Sequence, residues 1–224
     1  IVKFSLTRSD YLTANAQYMI DAIQKLVDKP VLLANYGIDY EELPIPYPKE
    51  KVIYSNRLHN PIYRTDEIIK GFSEFVSNHP AWKLVLAGKG SLTEELKELA
   101  SSILPENSFS FLGFIPSDEN KENYLKAHIW ISNPISDGTA ISLYEAMGFG
   151  CIPVTSNLPA TKEVITNNEN GIIVESKVGE ALERALSLDL KDVQQKNKSI
   201  VEKVATKPIN KAKFESIYKE ILNK

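Results

Sequence analysis

The sequence predicts an α/β fold built on a doubly wound parallel sheet. Two patterns carry that expectation. From residue 51 onward, short apolar runs alternate with longer segments of helical spacing. Such alternation implies parallel strands joined by right-handed crossovers. In addition, Arg57, Gly88, Gly113 and Asp137 each fall just past the end of a predicted strand. Ligands of doubly wound sheets gather at the carboxyl ends of the strands, so the four positions point to one shared cleft.

The elements follow in order. Residues 1–7 give no clear pattern. A short strand fits 11–14, and 16–27 has helical spacing through Tyr18, Ile20, Ala22, Ile23 and Leu26 before Lys29-Pro30 stops it. A strand at 31–34 leads to the turn Gly37-Ile38-Asp39. Residues 40–50 hold three prolines among acidic residues and read as a linker. Six apolar runs then predict strands at 51–55, 83–87, 108–112, 128–132, 151–155 and 171–174. Between them, Ile68, Ile69, Phe72, Phe75 and Val76 share one face of a helix at 66–78. Leu92, Leu96, Leu99 and Ile103 do so at 91–103. Shorter helices fit 118–127, 140–148 and 159–166. The tail reads as a helix around Leu182 to Leu186, another through Val193 to Val204, and a last one after Pro208. That last helix carries the stripe Phe214, Ile217, Tyr218, Ile221 and Leu222.

The stretch 129–153 organises the rest. A buried-strand run is followed by a loop of turn residues, Asn133, Pro134, Ser136, Asp137 and Gly138. Helical spacing starts at Thr139 and ends at Gly148 and Gly150. A helix opening at a Gly-Thr loop turns free N–H groups and a positive dipole end toward any anion placed there. Glu145 lies about 6 residues into this helix, roughly 9 Å along the axis, and its side chain leans back toward the N-terminal end. Asp137 sits just ahead of that end. The two carboxylates flank one helix mouth at different depths. Geometry alone also admits Asp137 as a helix cap and Glu145 as a solvated residue.

Composition narrows the field. The chain has 224 residues, 43% hydrophobic and 25% charged, with a net charge of −3. That is ordinary for a soluble protein with a sizeable core, and it leaves no electrostatic footprint for nucleic acid. No apolar run approaches the ~18 residues of a membrane span, and no signal peptide is visible. Cys151 is the single cysteine; it fits a reducing compartment and a small core position at a strand start. The histidines, His59, His79 and His128, are scattered and form no ligand cluster; His59 reads as an exposed loop residue. Position 1 is Ile, so the chain reads as a piece of a longer protein.

Ser136-Asp137-Gly138-Thr139-Ala140-Ile141-Ser142-Leu143-Tyr144-Glu145-Ala146-Met147 resembles the donor-site signature of the retaining GT-B glycosyltransferases of family four: an acid, seven residues, then Glu-Ala-Met. Asp137 stands where many members have Glu. Ser55-Asn56-Arg57-Leu58 resembles the family's Arg-Leu element, and Arg64 falls near its basic partner, one residue late. Ala87-Gly88-Lys89-Gly90 is similar to its Gly-x-Gly turn, and Phe111-Leu112-Gly113-Phe114-Ile115 to its Leu-Gly loop. Residues 159–163, then Asn170-Gly171-Ile172-Ile173-Val174, resemble its closing segment. The likeness covers roughly residues 30–224.

The resemblance implies the C-terminal, Rossmann-like half of a GT-B fold. Residues 1–34 would be a remnant of the N-terminal acceptor domain, 35–50 a linker, and 51–224 the donor-binding domain. It implies transfer from a UDP-, GDP- or ADP-sugar to a glycan or lipid-linked acceptor, with retention and without metal or other cofactor. Arg57 and Arg64 would clamp the diphosphate. Asp137 and the N–H groups of Gly138, Thr139, Ala140, Ile141 and Ser142 would hold sugar and diphosphate. Glu145 would bind the ribose, and Gly113, Phe114 and Ile115 would lie beside the base. It further implies a cytoplasmic enzyme, with contact to the inner face of a membrane carried by the other domain. Two other readings stand beside it: a GT-B sugar-nucleotide epimerase, and a doubly wound binding module with no chemistry. A glycosidase acid pair fits poorly, because both carboxylates lie on one wall of one helix mouth.

Overall fold

The structure is a computed structural model and describes residues 2–223. The two ends of the expected domain ranges, residues 1 and 224, lie outside the described residues.

A six-stranded sheet forms the centre. Its strands are β3 (Glu50–Ser55), β4 (Lys83–Ala87), β5 (Phe109–Gly113), β6 (Ala127–Ser132), β7 (Ile152–Ser156) and β8 (Ile172–Val174), all parallel, in the order β5-β4-β3-β6-β7-β8. The chain starts in the middle, winds outward one way, then returns and winds the other way. This is the doubly wound order whose direction reverses between β3 and β6. There Ile53 pairs with Ile129 and Tyr54 with Trp130.

Side chains alternate across the sheet, as the twofold strand period requires. Ile53, Leu84, Ile129, Ile131, Ile152 and Val154 face one side. They are covered by α3 (Thr65–Asn78), α4 (Thr93–Ile103) and α8 (Val178–Leu186). Tyr54, Trp130 and Ile173 face the other, beneath α5 (Ser117–Lys126), α6 (Ile141–Gly148) and α9 (Leu190–Val204). Cys151 is fully buried just before β7. A short helix, α7 (Pro159–Lys162), follows β7. It stops earlier than the spacing of 159–166 predicts. The Asn170 side chain accepts from the Thr166 N–H and donates to the Val164 carbonyl, so it takes backbone groups that a longer helix would use.

A second, two-stranded parallel sheet, β1 (Leu12–Ala14) with β2 (Val31–Leu33), stands apart from the first. Helix α1 (Val2–Arg8) precedes it and α2 (Gln17–Gln24) connects its strands. Leu12, Ala14, Ile20, Val27 and Val31 make its small core. The unit is tied to the main sheet by polar contacts. Both Glu163 carboxylate oxygens accept from the first N–H groups of α2, Gln17 at 2.7 Å and Tyr18 at 2.8 Å.

Residues 40–49 form no regular element but are held in place. The Tyr47 N–H donates to Gln194, and Lys49 Nζ donates to the carbonyls of Tyr124, Leu125 and Phe149. The last helix, α10 (Lys207–Leu222), contains Pro208 in its first turn, where the missing N–H is tolerated. Its predicted stripe does not enter the core of the sheet: Tyr218 and Leu222 are exposed. Instead the chain entering α10 pairs beside Ile38 at the junction, and Phe214 stacks on Tyr36 with ring centroids 6.5 Å apart.

Candidate active site

The loops after β3 and β6 meet where the sheet reverses direction. Arg57, two residues past β3, donates from Nη2 to Oδ2 of Asp137 at 2.5 Å and from Nη1 to Oγ of Ser142 at 2.9 Å. Its guanidinium lies over the Tyr63 ring, 4.5 Å from the centroid, a cation–π contact that fixes its plane. Nε of Arg57 is buried and has no hydrogen-bond partner among the described residues. A buried donor left unmatched costs about 1–3 kcal/mol.

Asp137 does not cap the helix. The N-cap of α6 is Ala140, with no side-chain hydrogen bond, and the Asp137 carboxylate is held by Arg57 instead. The loop is shaped by the small N-terminal unit. Tyr18 Oη donates to the Asp137 carbonyl at 2.9 Å and Asn15 Nδ2 to the Thr139 carbonyl at 3.2 Å. A Cβ at Gly138 would stand 2.7 Å from Oδ1 of Asn15, so any larger residue there would push the Asn15 side chain from this cover.

Glu145 lies deeper and is partly buried, not freely solvated. Desolvation raises its carboxyl above the ordinary range, and a hydrogen bond from Tyr124 opposes that rise. Tyr124 Oη donates to Oε2 of Glu145 at 2.9 Å; the Ser142 carbonyl is 3.3 Å from the same hydroxyl. Beneath them is a layer of buried and half-buried polar groups. Asn56 Nδ2 donates to Tyr124 Oη at 2.7 Å and to Asn120 Oδ1 at 3.1 Å, while Trp130 Nε1 donates to Asn56 Oδ1 at 2.9 Å. Tyr54 Oη donates to Asn120 Oδ1 at 2.6 Å. Glu145 and Asn120 both line an open cavity of about 560 Å³, with Asp39, Tyr40, Lys121 and Phe149 also on its wall.

The loops after β4 and β5 close the other side. Gly88 has φ +108, and a Cβ there would lie 2.5 Å from the Arg57 carbonyl oxygen. The Gly88 N–H donates to the Gly113 carbonyl at 2.7 Å. Gly113 has φ +71, and the Lys89 side chain crosses over it. Phe114 is 84% exposed, whereas Ile115 packs on the core. Ser142 and Thr139 are buried and Ile141 is exposed.

These features coincide with an independent match. The family model for glycosyl transferases group 1 matches residues 37–206. The chain belongs to this family. An uncharacterized glycosyltransferase of Haemophilus influenzae is 29% identical over 125 residues, covering 55% of this chain and 35% of the relative. The lipopolysaccharide core biosynthesis mannosyltransferase LpcC of Rhizobium leguminosarum is 26% identical over 128 residues, 55% of this chain and 36% of LpcC. The chain thus spans about a third of these relatives. Among solved structures, the pneumococcal O-GlcNAc transferase GtfA in complex with UDP and GlcNAc superposes with a TM-score of 0.84 at 16% identity, over 99% of this chain and 47% of GtfA. Anabaena HepE in complex with UDP-glucose gives 0.82 at 14%, over 98% of this chain and 68% of HepE. The fold is the C-terminal domain of a GT-B glycosyltransferase.

Of the residues expected in the site, Arg57, Asp137 and Ser142 come together, and Glu145 is joined to Ser142 through the Tyr124 hydroxyl. Arg64 stands apart. It has a left-handed backbone, φ 47, and donates to Asn133 O, Asn133 Oδ1 and Pro134 O at 2.8, 3.0 and 3.3 Å. It braces the start of the loop that carries Asp137. His59 is also not the exposed loop residue expected: it is buried and hydrogen-bonded to Thr93 Oγ1 at 3.1 Å. The loop it sits in is covered by the Gly88–Gly90 turn, whose carbonyl at Lys89 accepts the His59 N–H. Sequence reading missed Asn56, Asn120 and Tyr124. The Asn-x3-Tyr spacing on α5 places Asn120 and Tyr124 on one helix face; that spacing is the one local signal for them.

Proposed function

We propose that this chain is the donor-binding part of a retaining, metal-independent glycosyltransferase that moves a sugar from a nucleoside-diphosphate sugar to a saccharide or lipid-linked acceptor. The observation that carries the reading is the meeting of Arg57 and Asp137 at the point where the strand order reverses. Departure of a diphosphate builds negative charge on its oxygens. Arg57 can offer two parallel charge-assisted bonds there, and the α6 mouth adds N–H groups and the positive end of its dipole. Asp137 and the loop from Gly138 to Ser142 would hold the sugar while positive charge develops at its anomeric carbon. Glu145 would accept from the ribose hydroxyls, and the Gly113–Ile115 loop would flank the base. Arg64 supports this arrangement from behind, through Asn133 and Pro134. Relatives named as glycosyltransferases and neighbours solved with UDP or UDP-glucose favour a nucleotide sugar. On this reading residues 1–34 belong to the acceptor half, in keeping with their separate sheet. Among the described residues no helix is long and apolar enough to cross a membrane.

The test is a thermal-shift series with UDP, GDP and ADP and their sugar conjugates in the presence of EDTA. At 100 times its dissociation constant a ligand adds ~2.7 kcal/mol, which raises Tm by about 5–10 °C for a domain of this size. The expected result is a shift with one base that persists in EDTA and is lost in Arg57→Ala. Absence of any shift in the full-length protein would reject the reading.

A further inference from the structure

We propose that Trp130, Asn56 and Tyr124 form a one-way hydrogen-bond relay that positions Glu145 and Asn120 to recognise the ribose diol, and that this relay makes the site discriminate ribonucleotides from 2′-deoxyribonucleotides. The proposal rests on the donor-site reading above and adds Trp130, Asn56, Tyr124 and Asn120, which that reading leaves unused.

The direction of the relay is fixed at its start. An indole N–H can only donate. Trp130 is fully buried and its Nε1 lies 2.9 Å from Oδ1 of Asn56, so the Asn56 amide has one orientation. Its Nδ2 must then face Tyr124 Oη at 2.7 Å and Asn120 Oδ1 at 3.1 Å. Tyr124 has one hydroxyl proton. With a lone pair occupied by Asn56, that proton goes to Oε2 of Glu145, 2.9 Å away, in preference to the Ser142 carbonyl at 3.3 Å. The carboxylate therefore receives a donor on its buried oxygen. Oε1 has no hydrogen-bond partner among the described residues. Asn120 is fixed in the same way: Tyr54 and Asn56 both donate to its Oδ1, so its Nδ2 donors are turned to the opposite side.

Glu145 and Asn120 line the same cavity. The relay thus presents one oriented acceptor, Oε1 of Glu145, and one oriented donor, Nδ2 of Asn120. Two vicinal hydroxyls can use both, since each hydroxyl donates once and accepts. A sugar lacking one hydroxyl leaves one of these groups unmatched in a partly buried site, which is where discrimination is strongest. Neither Asn56 nor Trp130 touches the ligand in this scheme; both are positioning residues.

The experiment uses the full-length protein and the ribonucleoside diphosphate among UDP, GDP and ADP that binds, with its 2′-deoxy form, by calorimetry. Wild type should prefer the ribo form by about tenfold or more. Tyr124→Phe keeps the ring and its packing on Phe149, and should reduce that preference to about twofold by weakening the ribo form alone. Asn56→Asp keeps the shape but accepts from Tyr124, turning the hydroxyl proton away from Glu145; it should erode the preference with the Tyr124 ring intact. A preference unchanged in both variants, or equal losses on both nucleotides, would overturn the relay. Glu145→Ala separates this from the underlying reading. If it abolishes the preference while Tyr124→Phe preserves it, the relay alone is wrong. If it leaves ribonucleotide binding intact, the ribose assignment is wrong and the relay falls with it.

Discussion

Glu145 illustrates the conflict between binding and stability at the scale of one side chain. Its carboxyl is raised because burial disfavours the charge. The folded state therefore holds that proton more tightly than the unfolded chain does. Stability from this group is greatest below the ordinary carboxylate range and declines as pH rises through the raised value. Glu145→Gln keeps an acceptor for Tyr124 and removes the charge. It should raise Tm at neutral pH by on the order of 2–4 °C, the response of a domain this size to about 1 kcal/mol. The gain should vanish in acid, below the ordinary carboxylate range, and nucleotide affinity should fall. A Tm gain that is the same at every pH would show that desolvated charge is not its source. The Arg57–Asp137 pair carries a second prediction. Asp137→Asn leaves Arg57 without its anionic partner. Binding of nucleoside diphosphate alone should be retained or tightened up to about tenfold, whereas sugar transfer by the full-length enzyme should fall by about 100-fold or more. Equal losses of binding and turnover would argue that Asp137 merely supports the fold.

At the scale of elements, the helix mouth was legible because strand, turn residues and helix follow one another in a single stretch. The same holds for the six strands, whose apolar runs are bounded by turn residues. Lys49 and the Asn56 layer were not legible. Lys49 comes from the segment read as a linker, yet its ammonium takes the carbonyls of Tyr124 and Leu125 at the end of α5 and of Phe149 at the end of α6. One cation satisfies orphan acceptors of two helices and opposes both dipoles. Its partners lie 75 to 100 residues away in sequence, so no local pattern announces them. Asn56 meets Tyr124 across 68 residues for the same reason. Lys49→Met keeps the apolar stem and leaves those carbonyls unmatched. It should cost about 2–4 kcal/mol, read as a lower urea midpoint with an unchanged slope. Stability within about 0.5 kcal/mol of wild type would mean that water replaces the ammonium.

For the molecule as a whole, the parallel sheet and fold class follow from alternation, and the expected cleft from loops placed past strand ends, whereas the strand order β5-β4-β3-β6-β7-β8 is known only from the structure. Arg64 and His59 did not follow, because whether a loop side chain points into a cleft or braces a neighbour depends on how two loops pack. On the proposed function the chain supplies one wall of a cleft; it spans about a third of the length of the relatives from Haemophilus influenzae and Rhizobium leguminosarum. Residues 1–224 alone should therefore bind the nucleotide yet transfer sugar at least about 100-fold more slowly than the full-length enzyme, since the acceptor is not held in place. Robust turnover by this piece would contradict that division of labour.

The small sheet is fastened to the loop at 137–139 by Tyr18 and Asn15, and to Glu163 by the start of α2. These ties join two processes into one equilibrium. On the proposed function, a donor that orders the loop would also hold the small sheet in place. By reciprocity, any movement that pulls the small sheet away must lower donor affinity by the same factor. On the proposed donor-site reading, the clasp would couple the placement of the small sheet to how firmly the loop at 137–139 holds a donor.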